Sequence, residues 1–239
     1  MKNLSLKLVM SILLLTPIIV SAQSLPPLPS IITVPPFKKL LVVGNGNTDV
    51  VLHQSEEYKL EVMENDAVAI TVKSTDTTCI VTSTGLESDH LIRLDIYAPL
   101  YQHVDCSLIR LLTTQDTLVS EDISITTYNT DIDILLQTDH LDLIFEGARA
   151  SLAGTCNDAH ILFNGFANGE RIVLDATDFS IKNLHVECGI LSSLNLNVTD
   201  SLWLTGGNNT FVTIHGSPVI LQNNLLDYSL TMHNEKNQQ

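Results

Sequence analysis

Five residues stand at matched positions along the chain and have side chains that could do chemistry: Ser124, Asp142, His160, His185 and Trp203. Each sits between two apolar residues, the pairs being Ile123/Ile125, Leu141/Leu143, Ala159/Ile161, Leu184/Val186 and Leu202/Leu204. In a β-strand successive side chains point to opposite faces, so if the pairs point inward the five point outward. If the segments lie side by side as strands, neighbouring members would be roughly 4.8 Å apart. Imidazole and carboxylate together suit zinc or copper, so Asp142, His160 and His185 could share an ion. Trp203 could stack on a sugar ring. The steps between pairs are 18, 18, 25 and 18 residues, so an insertion separates His160 from His185. A solvated ladder of mixed polar residues accounts for the column without an ion. The column is therefore read as a candidate ligand-binding face, with no metal and no cofactor assigned.

Other chemistry is weaker. Acidic residues recur at the corners between apolar runs, among them Asp122, Asp131, Asp139, Asp158, Asp175 and Asp200. Such carboxylates could supply the six to eight oxygens that calcium takes. Gly44-Asn45-Gly46-Asn47-Thr48-Asp49 has a superficial likeness to a calcium-binding repeat, but it occurs once and reads better as a hairpin turn. A carbohydrate-active enzyme would need a positioned acid and base. Asp175 and Asp178 are one possible pair, but corner capping explains them more simply. The serines have no evident His and Asp partners, and no Gly-x-Ser-x-Gly, His-Glu-x-x-His or phosphate-cradling glycine loop occurs. The expectation is that the protein is not an enzyme. The formal net charge of -15, from 12 Lys plus Arg against 27 Asp plus Glu, excludes nucleic acid as a partner.

The elements that must position the column follow from the rest of the chain. Residues 1–22 read as a secretory signal: Lys2 and Lys7, an apolar run from Leu8 to Val20, then Ser21-Ala22 before a cleavage point at Gln23. The apolar run is shorter than the roughly 20 residues of a spanning helix. The mature chain is expected to be soluble and exported. Residues 23–36, with Pro26, Pro27, Pro29, Pro35 and Pro36, read as an extended linker. Period-two alternation then predicts strands at 39–43, 49–54, 58–63, 68–73, 78–83 and 91–98. From Val104 the chain repeats, and each unit adds a second strand, at 130–136, 148–153, 171–176, 191–198 and 210–215. A period near 20 with two short strands per unit predicts a stacked array sharing one core. The fold expected is all-β, a short parallel β-solenoid with an N-terminal strand region. Its domain would span 37–220, and 221–239 would form a capping segment and polar tail. Cys79, Cys106, Cys156 and Cys188 are an even set in an exported chain, hence disulfide candidates, although four buried thiols are equally compatible with the sequence.

Several stretches together resemble a known family. They are Phe-x-x-Leu-x-Val-x-Gly from Phe37 to Gly44, His53-Gln54, Tyr58-x-Leu-x-Val, Leu91-Ile-Arg-Leu-Asp-Ile-Tyr-Ala-Pro-Leu, Asp200-Ser-Leu-Trp-Leu-Thr-Gly-Gly and His215-Gly-Ser-Pro-Val219. Over residues 36–220 the chain resembles the bacterial family called "putative auto-transporter adhesin, head GIN domain". The resemblance implies a right-handed parallel β-solenoid with an N-terminal strand region in an exported protein. The repeat architecture, the export signal and the lack of a catalytic constellation point to a non-catalytic, adhesin-like binding module of unknown ligand. Its place would be the periplasm or cell surface of a Gram-negative bacterium. Its partner would be a glycan or an envelope or surface protein. The family's Gly-Ser-Gly-Asp corners are largely replaced here, by Glu146-Gly147, Asn164-Gly165, Cys188-Gly189 and Gly206-Gly207. A carbohydrate-active β-helix enzyme and a purely structural envelope protein are the alternatives.

Overall fold

Alternation of apolar and polar residues becomes extended chain along most of the described residues. The structure is a computed structural model that describes residues 29–84, 90–163 and 171–233. The first strands are short: β1 (Pro29–Thr33), β2 (Lys39–Val43), β3 (Thr48–Gln54), β4 (Lys59–Met63), β5 (Ile70–Thr75), β6 (Thr78–Ser83), β7 (Ile92–Ala98), β8 (His103–Ser107) and β9 (Leu111–Thr114). Those that follow are long: β10 (Leu118–Tyr128), β11 (Asp131–Glu146), β12 (Arg149–Phe163), β13 (Ile172–Cys188), β14 (Ser192–Gly216) and β15 (Val219–His233). β2 and β6 have the bounds that alternation predicts. No helix among the described residues is long and apolar enough to cross a membrane.

All the strands join one sheet, ordered β1-β4-β7-β3-β9-β11-β10-β8-β2-β6-β5, with β12 to β15 following in succession from β11. The all-β class holds, but the expected short right-handed parallel β-solenoid does not form. The sheet is mixed, partly antiparallel and curled into a half-barrel. β1 with β4, β4 with β7, and β5 with β6 are antiparallel. The corners that would separate short strands in a solenoid stay within the strand pairing, so β11 to β15 each pair along 15 to 25 residues, with bulges and left-handed residues such as Gly154, Gly206 and Asp227 where the chain bends.

Other expectations need correction. β2 and β3 do not form a hairpin across Gly44–Asn47: β2 pairs in parallel with β6 and β8, and β3 with β7 and β9. Asn45 Oδ1 instead accepts hydrogen bonds from the Asn47 backbone N–H (3.1 Å) and the Thr48 hydroxyl (3.2 Å), a local Asx turn. β1 occupies part of the stretch read as a linker. The secretory signal lies outside the described residues, as does nearly all of the insertion expected at 166–171. Cys79, Cys106, Cys156 and Cys188 are buried free thiols, and no disulfide joins any two of them. Desolvation pushes the Cys79 and Cys156 thiols up to about 11 and the Cys188 thiol to about 12, and raises that of Cys106.

One apolar core runs the length of the molecule. At the N-terminal end Phe37 packs edge-on against Tyr58, with ring centroids 5.3 Å apart. Tyr101 lies beside them and donates its hydroxyl to Ile96 O at 2.6 Å. Farther along, Phe145 of β11 meets Phe163 of β12 edge to face at 6.0 Å.

A small ladder shapes the long strands. Ser120, Thr138 and Cys156 stand in register on β10, β11 and β12 and are all buried. Each donates to the carbonyl two residues ahead: Ser120 to Asp122 O (2.7 Å), Thr138 to His140 O (3.0 Å) and Cys156 to Asp158 O (3.2 Å). These side chains hold the backbone immediately before the residues of the predicted column. They also show why a thiol sits at position 156: it occupies a donor position that its neighbours fill with hydroxyls.

Candidate functional site

Parallel pairing places the five column residues side by side. Ser124 is opposite Asp142, Asp142 opposite His160, His160 opposite His185, and His185 opposite Trp203. The 25-residue step does not disturb this, because the extra residues are absorbed before Arg171 and in a bulge before Phe179. The column is longer than the sequence reading made it. His103 on β8 pairs with Ser124, and Gln222 on β15 pairs with Trp203. A second polar row runs beside it: Asp122, His140, Asp158, Asn183 and Ser201. Between the rows lie the buried Ile123, Leu141 and Ala159, so the sheet there forms a shallow trough rather than a flat face.

The trough is an open groove of about 770 Å³, with His103 near one end and Trp203 at the other. Among the described residues, no Lys or Arg lines it. Its polar groups are carboxylates, imidazoles and amides, and they interact across the rungs. The His160 Nδ1 atom is 3.0 Å from Asp142 Oδ1, and its Nε2 atom is 3.5 Å from Glu187 Oε1. His185 Nε2 is 3.9 Å from the same Glu187 oxygen. The two imidazole rings are 5.2 Å apart and tilted by 42°. In the second row Asn183 Nδ2 donates to Asp158 Oδ1 at 2.9 Å, and His140 Nδ1 is 3.7 Å from Asp158 Oδ2.

Glu187 was missing from the sequence reading. Its signal was available: residues i and i+2 of a strand share a face, so His185-Val186-Glu187 puts the carboxylate beside the histidine. His103 was equally accessible in the alternation of His103-Val104-Asp105-Cys106.

Two of the acidic corner residues accept from backbone N–H groups. Asp131 Oδ1 accepts from the N–H groups of Ala148 (3.2 Å) and Arg149 (2.9 Å). Asp175 Oδ1 accepts from the Thr177 N–H (3.2 Å) and hydroxyl (2.7 Å). Both carboxylates thus complete turns, and Asp175 is committed to Thr177 rather than paired with Asp178. A separate polar cluster lies on β3 and β7, where Asp95 receives Arg93 at 2.9 Å and His53 at 2.7 Å, and His53 stacks on Tyr97. Burial alone would raise the Asp95 carboxyl, but the hydrogen bonds from Arg93 and His53 outweigh it and hold it below the ordinary range.

No family model and no curated protein matches the chain. Solved structures do. A protein titled "putative adhesin" from Bacteroides fragilis NCTC 9343 has 16% identity, with 87% of this chain and 96% of that chain covered and a TM-score of 0.69. Another "putative adhesin", from Parabacteroides merdae ATCC 43184, has 17% identity, coverage of 86% and 95%, and a TM-score of 0.58. A "putative lipid binding protein" from Parabacteroides distasonis ATCC 8503 has 10% identity, coverage of 86% and 95%, and a TM-score of 0.58. At these identities the likeness is one of fold.

Proposed function

We propose that the protein is an exported, non-catalytic binding module of the adhesin type that takes a neutral glycan, free or on an envelope or surface protein, in the groove between His103 and Trp203. The observation that carries this reading is the open groove of about 770 Å³ lined by two in-register polar rows with the indole at its end. Aromatic faces stack on sugar rings, and closely spaced amides, carboxylates and imidazoles suit hydroxyl groups. With carboxylates and no Lys or Arg among the described lining residues, the groove disfavours acidic glycans and anionic lipid head groups. The names of the structural neighbours, the resemblance to the head GIN family and the signal-like residues 1–22 support an exported binding role in the same direction.

Binding of the purified protein to an array of neutral and acidic glycans tests it, beside Trp203→Ala. The expected result is selective retention of neutral glycans, lost at least tenfold in the variant. Retention of acidic glycans alone, or binding indifferent to Trp203→Ala, would refute the assignment to this groove. Export is tested separately by sequencing the amino terminus of the protein recovered outside the cytoplasm, expected to begin at Gln23.

A further inference from the structure

We propose that His160, His185 and Glu187 form a binding site for one divalent transition-metal ion, zinc by its chemistry, with Asp142 holding His160 in the ligating tautomer. This site stands whether or not the groove takes a glycan.

The backbone brings the three together. His160 and His185 are Cα partners on adjacent parallel strands, and Glu187 lies on the same face two residues beyond His185. One ligand atom from each of the three lies within 4.8 Å of the other two. A tetrahedral zinc ion with bonds of about 2.0–2.1 Å holds neighbouring ligand atoms roughly 3.3 Å apart. The two separations from Glu187 Oε1, 3.5 Å to His160 Nε2 and 3.9 Å to His185 Nε2, are already close to that value. Small rotations of three half-exposed side chains supply the rest.

The hydrogen bonding of His160 is the second observation. Asp142 Oδ1 lies 3.0 Å from His160 Nδ1, so the ring turns its other nitrogen, Nε2, toward Glu187 at 3.5 Å. With Nδ1 engaged by a carboxylate, Nε2 is the nitrogen placed to meet an ion held by Glu187. Carboxylate–imidazole–metal is also the usual way in which a ligating histidine is oriented and made more basic. The carboxylates of Asp122, Asp142 and Asp158 in the same groove add negative potential that favours a cation.

Donor chemistry selects the ion. Two imidazoles and one carboxylate suit zinc, copper, nickel or cobalt, of which zinc needs no redox partner and accepts three protein ligands in a tetrahedral site, whereas calcium and magnesium want an all-oxygen shell of six or more ligands. Three protein ligands leave at least one coordination position. The ligating side chains are 43–46% exposed, so that position opens into the groove toward solvent or a bound oxygen donor.

The test is zinc titration of the untagged, chelator-stripped protein by calorimetry at pH 7.5, with calcium as the comparison ion. One zinc per chain is expected, with no calcium uptake at the same concentration. His160→Ala, His185→Ala and Glu187→Gln should each weaken zinc binding at least tenfold. Asp142→Asn should weaken it about 10–100-fold, as loss of an orienting carboxylate does. His140→Ala, in the neighbouring row, should leave it unchanged. Circular dichroism shows whether each variant retains the fold, and because these side chains are on the surface it should be unaltered. Absence of zinc uptake by the wild type overturns the proposal. So does wild-type affinity in a His160→Ala/His185→Ala double variant. Loss of binding on His215→Ala instead would move the ion to the stacked His215–His233 pair and overturn it as well. Zinc uptake without any glycan retention would sink the glycan reading and leave this site intact.

Discussion

Replacing Gly206 by alanine should destabilise the protein by about 2–4 kcal/mol, and a second glycine allows the reason to be isolated. Gly206 has φ of +78°, and an added Cβ would lie 2.5 Å from the Cys188 carbonyl oxygen on the strand beside it. Gly46 has a similar φ, +90°, but its Cβ would meet nothing within 4 Å. Both alanine variants bear the left-handed backbone strain of an L-residue, about 1–2 kcal/mol. Only Gly206→Ala must also part β13 from β14 at one rung, weakening one or two backbone hydrogen bonds at about 0.5–1.5 kcal/mol each. The difference between the variants should therefore be about 1–2 kcal/mol, or roughly 3–6 °C in Tm for a chain of this size. Urea and thermal unfolding of wild type, Gly46→Ala and Gly206→Ala measure it directly. If the two variants agree within about 0.5 kcal/mol, the close approach of β13 and β14 at Gly206 is not what requires glycine there.

Two further outcomes follow from the core. Phe145→Ala removes a fully buried ring packed on Phe163 and should cost about 3–5 kcal/mol in urea unfolding; a loss below about 1 kcal/mol would mean that the ring is not part of the packed core. Stability should also fall in alkali. The four buried thiols have folded values raised above 9.0, so their contribution is complete below pH 9 and is lost as pH rises through the folded values. The slope is at most about 1.4 kcal/mol per thiol per pH unit. Melts at pH 8 and pH 10 should diverge less for Cys106→Val/Cys188→Val than for wild type, and identical divergence would contradict burial as the cause.

Much of this structure was legible in the spacing of apolar residues. The pairs headed by Ile123, Leu141, Ala159, Leu184 and Leu202 recur because they share one buried row, and reading them as aligned predicted the neighbours of His160 and His185. What alternation does not carry is the direction of the partner strand. A period of two is the same in parallel and antiparallel sheets, so nothing in Lys59–Met63 announces its antiparallel pairing with β1 and β7. Two repeated strands per unit were also separated where the backbone continues. Thr138 and Cys156 look like corner residues by type, yet each bonds to a carbonyl two residues ahead and the chain stays extended. The choice between disulfides and buried thiols stayed open for a related reason. A cysteine count speaks of compartment, whereas register with Ser120 and Thr138 speaks of the position that Cys156 fills.

The placing of β15 has a consequence for how the groove breathes. Among the described strands β15 pairs only with β14, and of its apolar side chains Leu225 is buried while Leu226, Tyr228 and Met232 are exposed. β12 and β13 are paired along both edges. Amides of β15 should therefore lose protection from hydrogen exchange at much lower opening free energy than those of β12 and β13. Trp203 lies next to β15, opposite Gln222, while His185 and His160 lie one and two strands farther in. The polar column should thus be graded in stiffness: His160 and His185 stand on strands paired along both edges, and Trp203 stands beside the outermost described strand.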